Sequence, residues 1–417
     1  MRKITLTILV FLFLFGVSSA HGQLNGIETT GTEMENKRQS ETTGKLKISG
    51  YIQTQYQSGE EDASLKIGAP NENKGEPFSR IGVRRGIIKL AYEEGIASGV
   101  FQIDITEKGF NIKDVYLNIK DPWTKTSALK AGVFYRPFGY EISYSSSQRE
   151  SPERSTIFTT LFPGERDLGA AFIFQPTKES PLHFLKIEAG LFAGNGIKQE
   201  TDSRKDLIGH LSANKKLKKI EIGGGVSYYN GSVFQGTENI YSMKGKLFIL
   251  DNNNANKGKF AKREYVGFDF QFFLKTKLGT TLLKAEYLSG KQPGTADNST
   301  SPNTSSLPAH DTYIRHFNGG YAMCVQQLGR LPVSAVLKYD WYDPNIKISG
   351  NDIGLNNTAK GDIAYYTLGI GMFWNINTSL RLQAYYDINK NEKSGNLSDY
   401  KKDIKDNVFT LRMQYKF

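Results

Sequence analysis

Segments in which apolar and polar side chains alternate recur through most of this 417-residue chain, and they constrain its fold more than any other feature. Between residues 80 and 174, for example, Phe101, Ile103 and Ile105 alternate with polar neighbours. A period of two puts apolar side chains on one face of a β-strand and polar side chains on the other. The pattern predicts strands at residues 45–57, 79–92, 96–105, 112–120, 127–135, 166–175, 183–193, 205–214, 219–230, 263–274, 280–290, 314–328, 332–343, 362–375, 378–389 and 406–417.

The amino terminus has the three parts of a secretory signal peptide. It opens with Arg2 and Lys3, continues with an apolar run too short to span a bilayer, and ends in small residues. Cleavage after Ala20 or after Gly22 fits equally well, and we assign residues 1–22 to the signal peptide. A retained membrane anchor is the alternative, which the short run and the cleavable residues disfavour.

The connections between the predicted strands alternate in length. Long links such as residues 136–165 and 231–262 follow odd-numbered strands, whereas short links such as 93–95 follow even-numbered ones. Long external loops alternating with short periplasmic turns are the rule for outer-membrane barrels, and a soluble sandwich has no reason to follow it. We therefore predict an all-β fold, a transmembrane antiparallel β-barrel of about 16 strands over residues 45–417. Residues 23–44, polar and without periodicity, are predicted to be a flexible periplasmic arm.

The last strand carries the sharpest single signal. Its alternate positions are apolar and it ends in the aromatic Phe417. In an exported chain, such a strand resembles the sorting signal read by the machinery that inserts outer-membrane barrels. We expect that machinery to be a partner of this chain, through Phe417.

The composition narrows the possible partners. The formal net charge is +11, or +9 once Arg2 and Lys3 leave with the signal peptide. A basic balance suits nucleic acid, an anionic surface or an anion path, and export makes nucleic acid an unlikely partner. Cys324 is the only cysteine, so no intramolecular disulfide is available. The mean hydropathy of −0.44 is compatible with a barrel, which carries its apolar side chains at alternate positions.

Five short motifs occur in order over about a hundred residues. They are Arg84-Arg85, then Asp114 with Tyr116 and Leu117, then Gly132 and Phe134 with Pro137 and Phe138, then Glu153-Arg154-Ser155, and finally Arg166 to Gly169. Together these motifs resemble the phosphate-selective porin O/P family, and the rest of the mature chain is similar to that family in pattern only. The resemblance implies a trimeric porin in a Gram-negative outer membrane, with phosphate as its solute.

Residues 136–165 are the candidate constriction loop, because the lumen of a 16-stranded barrel is wide enough for water unless something narrows it. A phosphate filter should present unbalanced Arg or Lys side chains. The loop is instead nearly neutral, so it does not by itself predict phosphate selectivity, and its charges could pair with one another. Counted through residue 167, they are Arg136, Arg149, Arg154 and Arg166 against Glu141, Glu150, Glu153, Glu165 and Asp167.

Basic residues on the strands can still make the lumen positive. A charge facing lipid at the bilayer midplane would cost about 2 to 4 kcal/mol, so we expect these side chains to point inward. Of Arg84 and Arg85 we expect only one in the lumen, with a bulge or an interface position taking the other. The predicted anion path comprises Arg84, Arg85, Lys130, Arg136, Arg149, Arg154, Arg166, Lys338, Arg381 and Arg412.

These observations predict a passive outer-membrane porin for small hydrophilic solutes, with a preference for anions and with outer-membrane lipid around it. We expect no enzymatic activity, no cofactor and no metal. One alternative is a barrel with a closed lumen that serves as an adhesin or binding scaffold through its long loops. Another is a barrel hydrolase that uses His310, Asp311 and His316, although the spacing of these residues has no metal-ligand logic.

Overall fold

The computed structural model describes residues 44–73 and 75–417. The predicted signal peptide lies outside these residues, as does the predicted periplasmic arm apart from Gly44. The strands are β1 (Lys45–Gly59), β2 (Phe78–Glu94), β3 (Ala97–Thr106), β4 (Gly109–Lys120), β5 (Ser127–Tyr135), β6 (Arg166–Phe174), β7 (Leu185–Phe192), β8 (Asp206–Lys216), β9 (Ile220–Phe234), β10 (Asn239–Lys244), β11 (Leu247–Asn252), β12 (Phe260–Thr276), β13 (Gly279–Gly294), β14 (Thr312–Gln327), β15 (Val333–Asp343), β16 (Tyr365–Asn375), β17 (Leu380–Asn391) and β18 (Val408–Lys416).

Sixteen of these strands form a closed antiparallel barrel. Each strand pairs with the next along the chain, except that β9 pairs with β12, and β1 pairs with β18 to close the ring. A closed ring leaves no free sheet edge, so the backbone N–H and C=O groups are paired where no water is available. The predicted 16-stranded antiparallel barrel is confirmed.

The two remaining strands, β10 and β11, form a hairpin within the long connection at 231–262, which the sequence pattern had assigned as loop. The hairpin pairs in parallel with the start of β14, where Ile240 lies opposite Thr312. Beside that contact the rings of Tyr241 and Tyr313 stack with their centroids 4.2 Å apart. The hairpin therefore extends the sheet beyond the ring, at the end of the barrel that carries the long connections.

Helical structure is sparse in the part of the chain that the structure describes. Helix α1 (Thr156–Leu161) lies within the candidate constriction loop, and four single-turn 3-10 helices lie in the connections at Asn254–Asn256, Gly350–Asp352, Lys360–Asp362 and Ser398–Tyr400. Within residues 44–73 and 75–417, no helix is long and apolar enough to cross a membrane.

The two faces of the barrel have opposite character. On β18, Leu411 and Met413 are about half exposed on the outer surface, whereas Thr410 and Arg412 are buried inside the ring. Alternation of this kind is found around the ring, so the outer surface is an apolar belt and the inner surface is largely polar. A barrel in a bilayer requires this arrangement, because lipid solvates apolar side chains and the lumen holds water.

An apolar cluster inside the ring fixes the constriction loop to one wall. Phe138, Phe158 and Phe162 of the loop are almost completely buried. Phe162 packs edge-on against Tyr265 of β12, with the ring centroids 5.8 Å apart, and Phe158 packs against Tyr321 of β14. Burial of each such ring stabilises the packed loop by roughly 1.5 to 3 kcal/mol. The apolar side of the loop therefore packs on β9, β12 and β14, and its polar side faces β17, β18, β1 and β2.

Candidate functional site

The polar side of the constriction loop is held by a row of side-chain donors on the facing wall. Five backbone carbonyls between residues 146 and 152 accept these hydrogen bonds, so this part of the loop, which we call the loop segment, lies across the lumen. The donors are Gln53 Nε2 to Ser146 O (3.0 Å), Gln414 Nε2 to Ser147 O (3.0 Å), Arg381 Nη1 to Arg149 O (3.1 Å), Gln383 Nε2 to Glu150 O, and Arg412 Nη1 to Pro152 O (2.8 Å).

Arg84 and Arg85 both face the lumen. The register of β1 with β2 shifts at this point: Gln53 lies opposite Arg85 and Thr54 lies opposite Val83, so Arg84 is the extra residue of a β-bulge. The expectation that only one of the two arginines would face inward is therefore wrong. A bulge was one of the two arrangements expected to keep the second arginine out of the lumen. A bulge is present, but it turns that arginine inward.

Both of these arginines bind the same carboxylate. Arg84 contacts Glu153 through Nε at 2.9 Å and through Nη2 at 2.8 Å, and Arg85 Nη2 lies 3.1 Å from Glu153 Oε2. A third guanidinium, that of Arg412 on β18, donates to Glu153 Oε1 at 2.8 Å. Burial disfavours the charged carboxylate, but the three arginines outweigh it and hold the pKa of Glu153 well below its usual range. We call Arg84, Arg85, Arg412 and Glu153 the arginine cluster.

The other charges of the loop pair largely with the wall. Two acids of the loop bind lysines of the strands, and only one pair joins two residues within 136–165. The idea that the loop is cross-linked by its own ion pairs is therefore correct only at its end. The pairs are Glu141 with Lys338 (3.3 Å), Glu150 with Lys284 (2.9 Å), Arg154 with Glu165, Arg166 with Asp114 and Glu165 (both 2.9 Å), and Arg136 with Asp167 (3.0 Å).

Three residues of the predicted anion path form no ion pair within the part of the chain that the structure describes. Arg149 is buried, and its Nε and Nη1 atoms have no hydrogen-bond partner there. Arg381 donates to Asn375 and to backbone carbonyls, and Lys130 lies over the rings of Tyr116 and Phe134. Arg149 and Arg381 thus add positive charge on the loop and on β17, whereas Lys130 lies on β5, outside the polar wall.

Cavities lie on both sides of the loop segment. A cavity of about 410 Å³ opens toward the long connections and is lined by Arg84, Glu153 and Lys338. Two cavities of about 630 and 290 Å³ open toward the short turns, and they are lined by loop residues that include Gln148 and Ser147. Residues 145–154 thus separate two halves of the lumen.

Sequence reasoning missed the glutamines that line the polar wall. Gln53, Gln55 and Gln57 of β1 are all buried inside the ring, and Gln55 Oε1 accepts two hydrogen bonds from Arg412. The signal was available, since glutamine occupies every second position from 53 to 57. A period-two row of long polar side chains facing one way predicts a polar lumen wall.

The three residues of the hydrolase hypothesis do not converge on one site. Asp311 accepts hydrogen bonds from Thr237 and Asn239 in the connections. His316 alternates with the buried Arg315 and Phe317 on β14 and therefore faces outward. Within the described ranges, no group of three or more His, Cys, Asp or Glu side chains is placed to hold a metal ion.

No protein-family model matches the chain, and no curated protein matches it. Several solved structures match the chain, and each of those named next covers 90% of it. They include OmpT with loop L8 deleted, an outer membrane protein of Vibrio cholerae (TM-score 0.53, 9% identity, 99% of that chain), the outer membrane channel DcaP of Acinetobacter baumannii (0.53, 12%, 97%), and OmpF of Salmonella typhi in complex with daunomycin (0.53, 9%, 98%). At such identities the likeness shows the fold, and it confirms the predicted outer-membrane β-barrel. Membership of the phosphate-selective porin O/P family stays a hypothesis.

Proposed function

We propose that this barrel is an outer-membrane porin through which small hydrophilic solutes diffuse passively, with a preference for anions. The observation that carries the proposal is the arginine cluster, which lies beside the loop segment between the two halves of the lumen. Three guanidinium groups against one carboxylate leave a net charge of 3 − 1 = +2 there. A fixed positive charge at a narrow point attracts anions and repels cations.

The chemistry of the cluster also fits the solute that the family resemblance implies. Guanidinium groups bind phosphate and carboxylate oxygens through paired, charge-assisted hydrogen bonds, which replace part of the hydration shell of the anion. Arg84 already makes two such contacts with Glu153. Inorganic phosphate is therefore the specific anion that we propose as a permeating solute.

The remaining features of the proposal concern assembly. One of the similar solved structures is described as a trimer form of OmpT of Vibrio cholerae, and we propose a homotrimer for this chain too.

The backbone of Phe417 exchanges two hydrogen bonds of 3.0 Å with Gly50, and the ring of Phe417 is half exposed on the outer surface. An exposed terminal ring supports recognition by the barrel-assembly machinery. We propose no catalytic role for the barrel.

The test is planar-bilayer recording of the purified, refolded protein in a KCl gradient, with and without phosphate. Stepwise conductance with a reversal potential of anionic sign supports the porin, and a reduction of the chloride current by phosphate supports phosphate as a solute. Absence of conductance would reject the pore and favour a closed barrel that acts through its loops.

A further inference from the structure

Part of the lumen wall is apolar where a water-filled channel would ordinarily be polar. On the inner face near the short turns, Phe273 of β12 lies opposite Leu282 of β13, which lies opposite Val325 of β14. Val325 in turn lies opposite Val336 of β15. These four residues form one continuous row across four strands, and we call them the apolar row. Three of them, Phe273, Leu282 and Val325, line the cavity of about 630 Å³.

The opposite side of the same cavity is cationic. It is lined by Glu150 and Arg381, and Glu150 is already satisfied by Lys284 at 2.9 Å and by the hydroxyl of Tyr144 at 3.0 Å. Arg381 has no carboxylate partner among the described residues; its Nε donates to Asn375 at 2.7 Å and its Nη1 to a loop carbonyl. The cavity therefore combines an apolar wall with one uncompensated positive charge.

An aromatic ring lies directly beside that charge. The guanidinium carbon of Arg381 is 4.6 Å from the ring centroid of Phe373, which is buried and also lines the cavity. A ring bound against Phe373 and the apolar row would bring a carboxylate attached to it close to Arg381. Small-molecule sites commonly have this form, with a volume of roughly 300 to 1,000 Å³, mostly apolar walls and a few placed polar groups.

We propose that this cavity is a binding site for small aromatic carboxylates, which pass through the barrel along the apolar row and Arg381. The inference rests on the proposed porin function and narrows its solutes to amphipathic organic anions. A small hydrophilic anion such as acetate can use the charge of Arg381 but gains nothing from the row. A neutral aromatic solute can use the row but not the charge.

The experiment compares three solutes, benzoate, acetate and benzamide, as blockers of the KCl current of the reconstituted barrel. Half-block by benzoate is expected at a concentration about 10-fold lower than half-block by either of the others. Phe373→Ala and Phe273→Ala should raise the half-block concentration of benzoate toward that of acetate. Arg381→Gln should raise the half-block concentration of benzoate toward that of benzamide. Trp374→Ala, on the outer face next to Phe373, and Arg330→Gln, in an exposed turn, should leave it unchanged.

Equal block by benzoate and acetate in a conducting wild-type barrel would overturn the inference and leave the porin function intact. A wild-type barrel without KCl current would reject the porin function instead. In that case, binding of benzoate is measured by titration calorimetry on the same protein in lipid nanodiscs. A heat of benzoate binding that the wild type shows and that both Phe373→Ala and Arg381→Gln lose supports the site. Absence of a heat of binding in the wild type overturns the inference.

Discussion

Arg84 and Arg85 are adjacent in the chain and nevertheless direct their guanidinium groups to the same side of the sheet, because Arg84 is the extra residue of a bulge in β2. In a regular strand one of the two would face lipid. The bulge brings both of them to Glu153, where Arg412 joins them from β18. A local irregularity of one strand thus adds a second arginine of β2 to the lumen.

Glu153→Gln should increase the preference for anions. The substitution removes the carboxylate that three arginines share and raises the net charge of the cluster from +2 to +3. The reversal potential in a KCl gradient should therefore move further in the anionic direction. Glu150→Gln is the matched control in the same loop, because Glu150 pairs with Lys284 and not with the cluster. An equal shift in both variants would show that the cluster has no special role.

Replacement of the wall glutamines should enlarge the conductance. Gln53, Gln383 and Gln414 each donate to a backbone carbonyl of the loop segment, and each bond contributes about 0.5 to 1.5 kcal/mol net. The triple alanine variant should release the segment from the polar wall and raise the single-channel conductance. Gln271→Ala is the control, since Gln271 faces the lumen but donates to Asp269 rather than to the loop. An unchanged conductance in the triple variant would mean that the segment is held by its apolar side alone.

Leu337→Arg should destabilise the barrel in lipid. Leu337 lies near the middle of β15 and is half exposed on the outer surface, whereas its neighbour Lys338 is buried inside the ring. An arginine on the lipid side at the midplane costs about 2 to 4 kcal/mol. The check is the free energy of unfolding by urea in lipid vesicles, with Leu337→Phe as an apolar control. A cost below 1 kcal/mol would contradict the assignment of this face to lipid.

Asp406→Asn should stabilise the folded barrel at neutral pH but not in acid. Asp406 lies in the connection before β18, where burial and then the charges of Asp403 and Glu60 raise its pKa to about 6. A raised pKa means that the folded state binds the proton more tightly than the unfolded state does. The stabilisation from the protonated form is complete below the unfolded pKa of about 3.9 and is lost as the pH rises through about 6.

The melting temperature of Asp406→Asn should therefore exceed that of the wild type at pH 7.5, and the difference should vanish near pH 3.5. Asp399→Asn, at an exposed position of the same connection, should leave the melting temperature unchanged at both pH values. A difference between Asp406→Asn and the wild type that is the same at both pH values would contradict the raised pKa.

Periodicity was enough to predict the ring of strands, because each strand alternates between lipid and lumen along its own length. The hairpin of β10 and β11 was missed because its pairing with β14 joins Ile240 to Thr312, a contact that no local pattern reveals. Helix α1 was missed as well, although Ile157, Phe158 and Leu161 are conspicuously apolar for an exposed loop. Those residues indicated that the loop packs inside the barrel.

The candidate site was harder to predict than the fold. The basic residues could be chosen from the sequence, but their partners could not, because an ion pair such as Lys338 with Glu141 joins a strand to a loop almost 200 residues away in the chain. The near-neutral charge count of the loop also misled, because it suggested that the charges of the loop pair with one another. Lysines and arginines of the strands bind most of the acids of the loop instead. The arginine cluster depends on a register shift, and alternation alone does not show where such a shift occurs.

The central claim is that the net positive charge of the arginine cluster sets the anion preference of the lumen. The most direct test is the reversal potential in a KCl gradient for the wild type and for a variant that combines Arg84→Gln, Arg85→Gln, Arg412→Gln and Glu153→Gln. This variant removes the net charge of +2 without leaving Glu153 buried and unpaired. We predict an anionic reversal potential for the wild type and a markedly less anionic value for the variant, in which Arg149 and Arg381 remain as positive charges. An equally anionic potential in both proteins would contradict the claim.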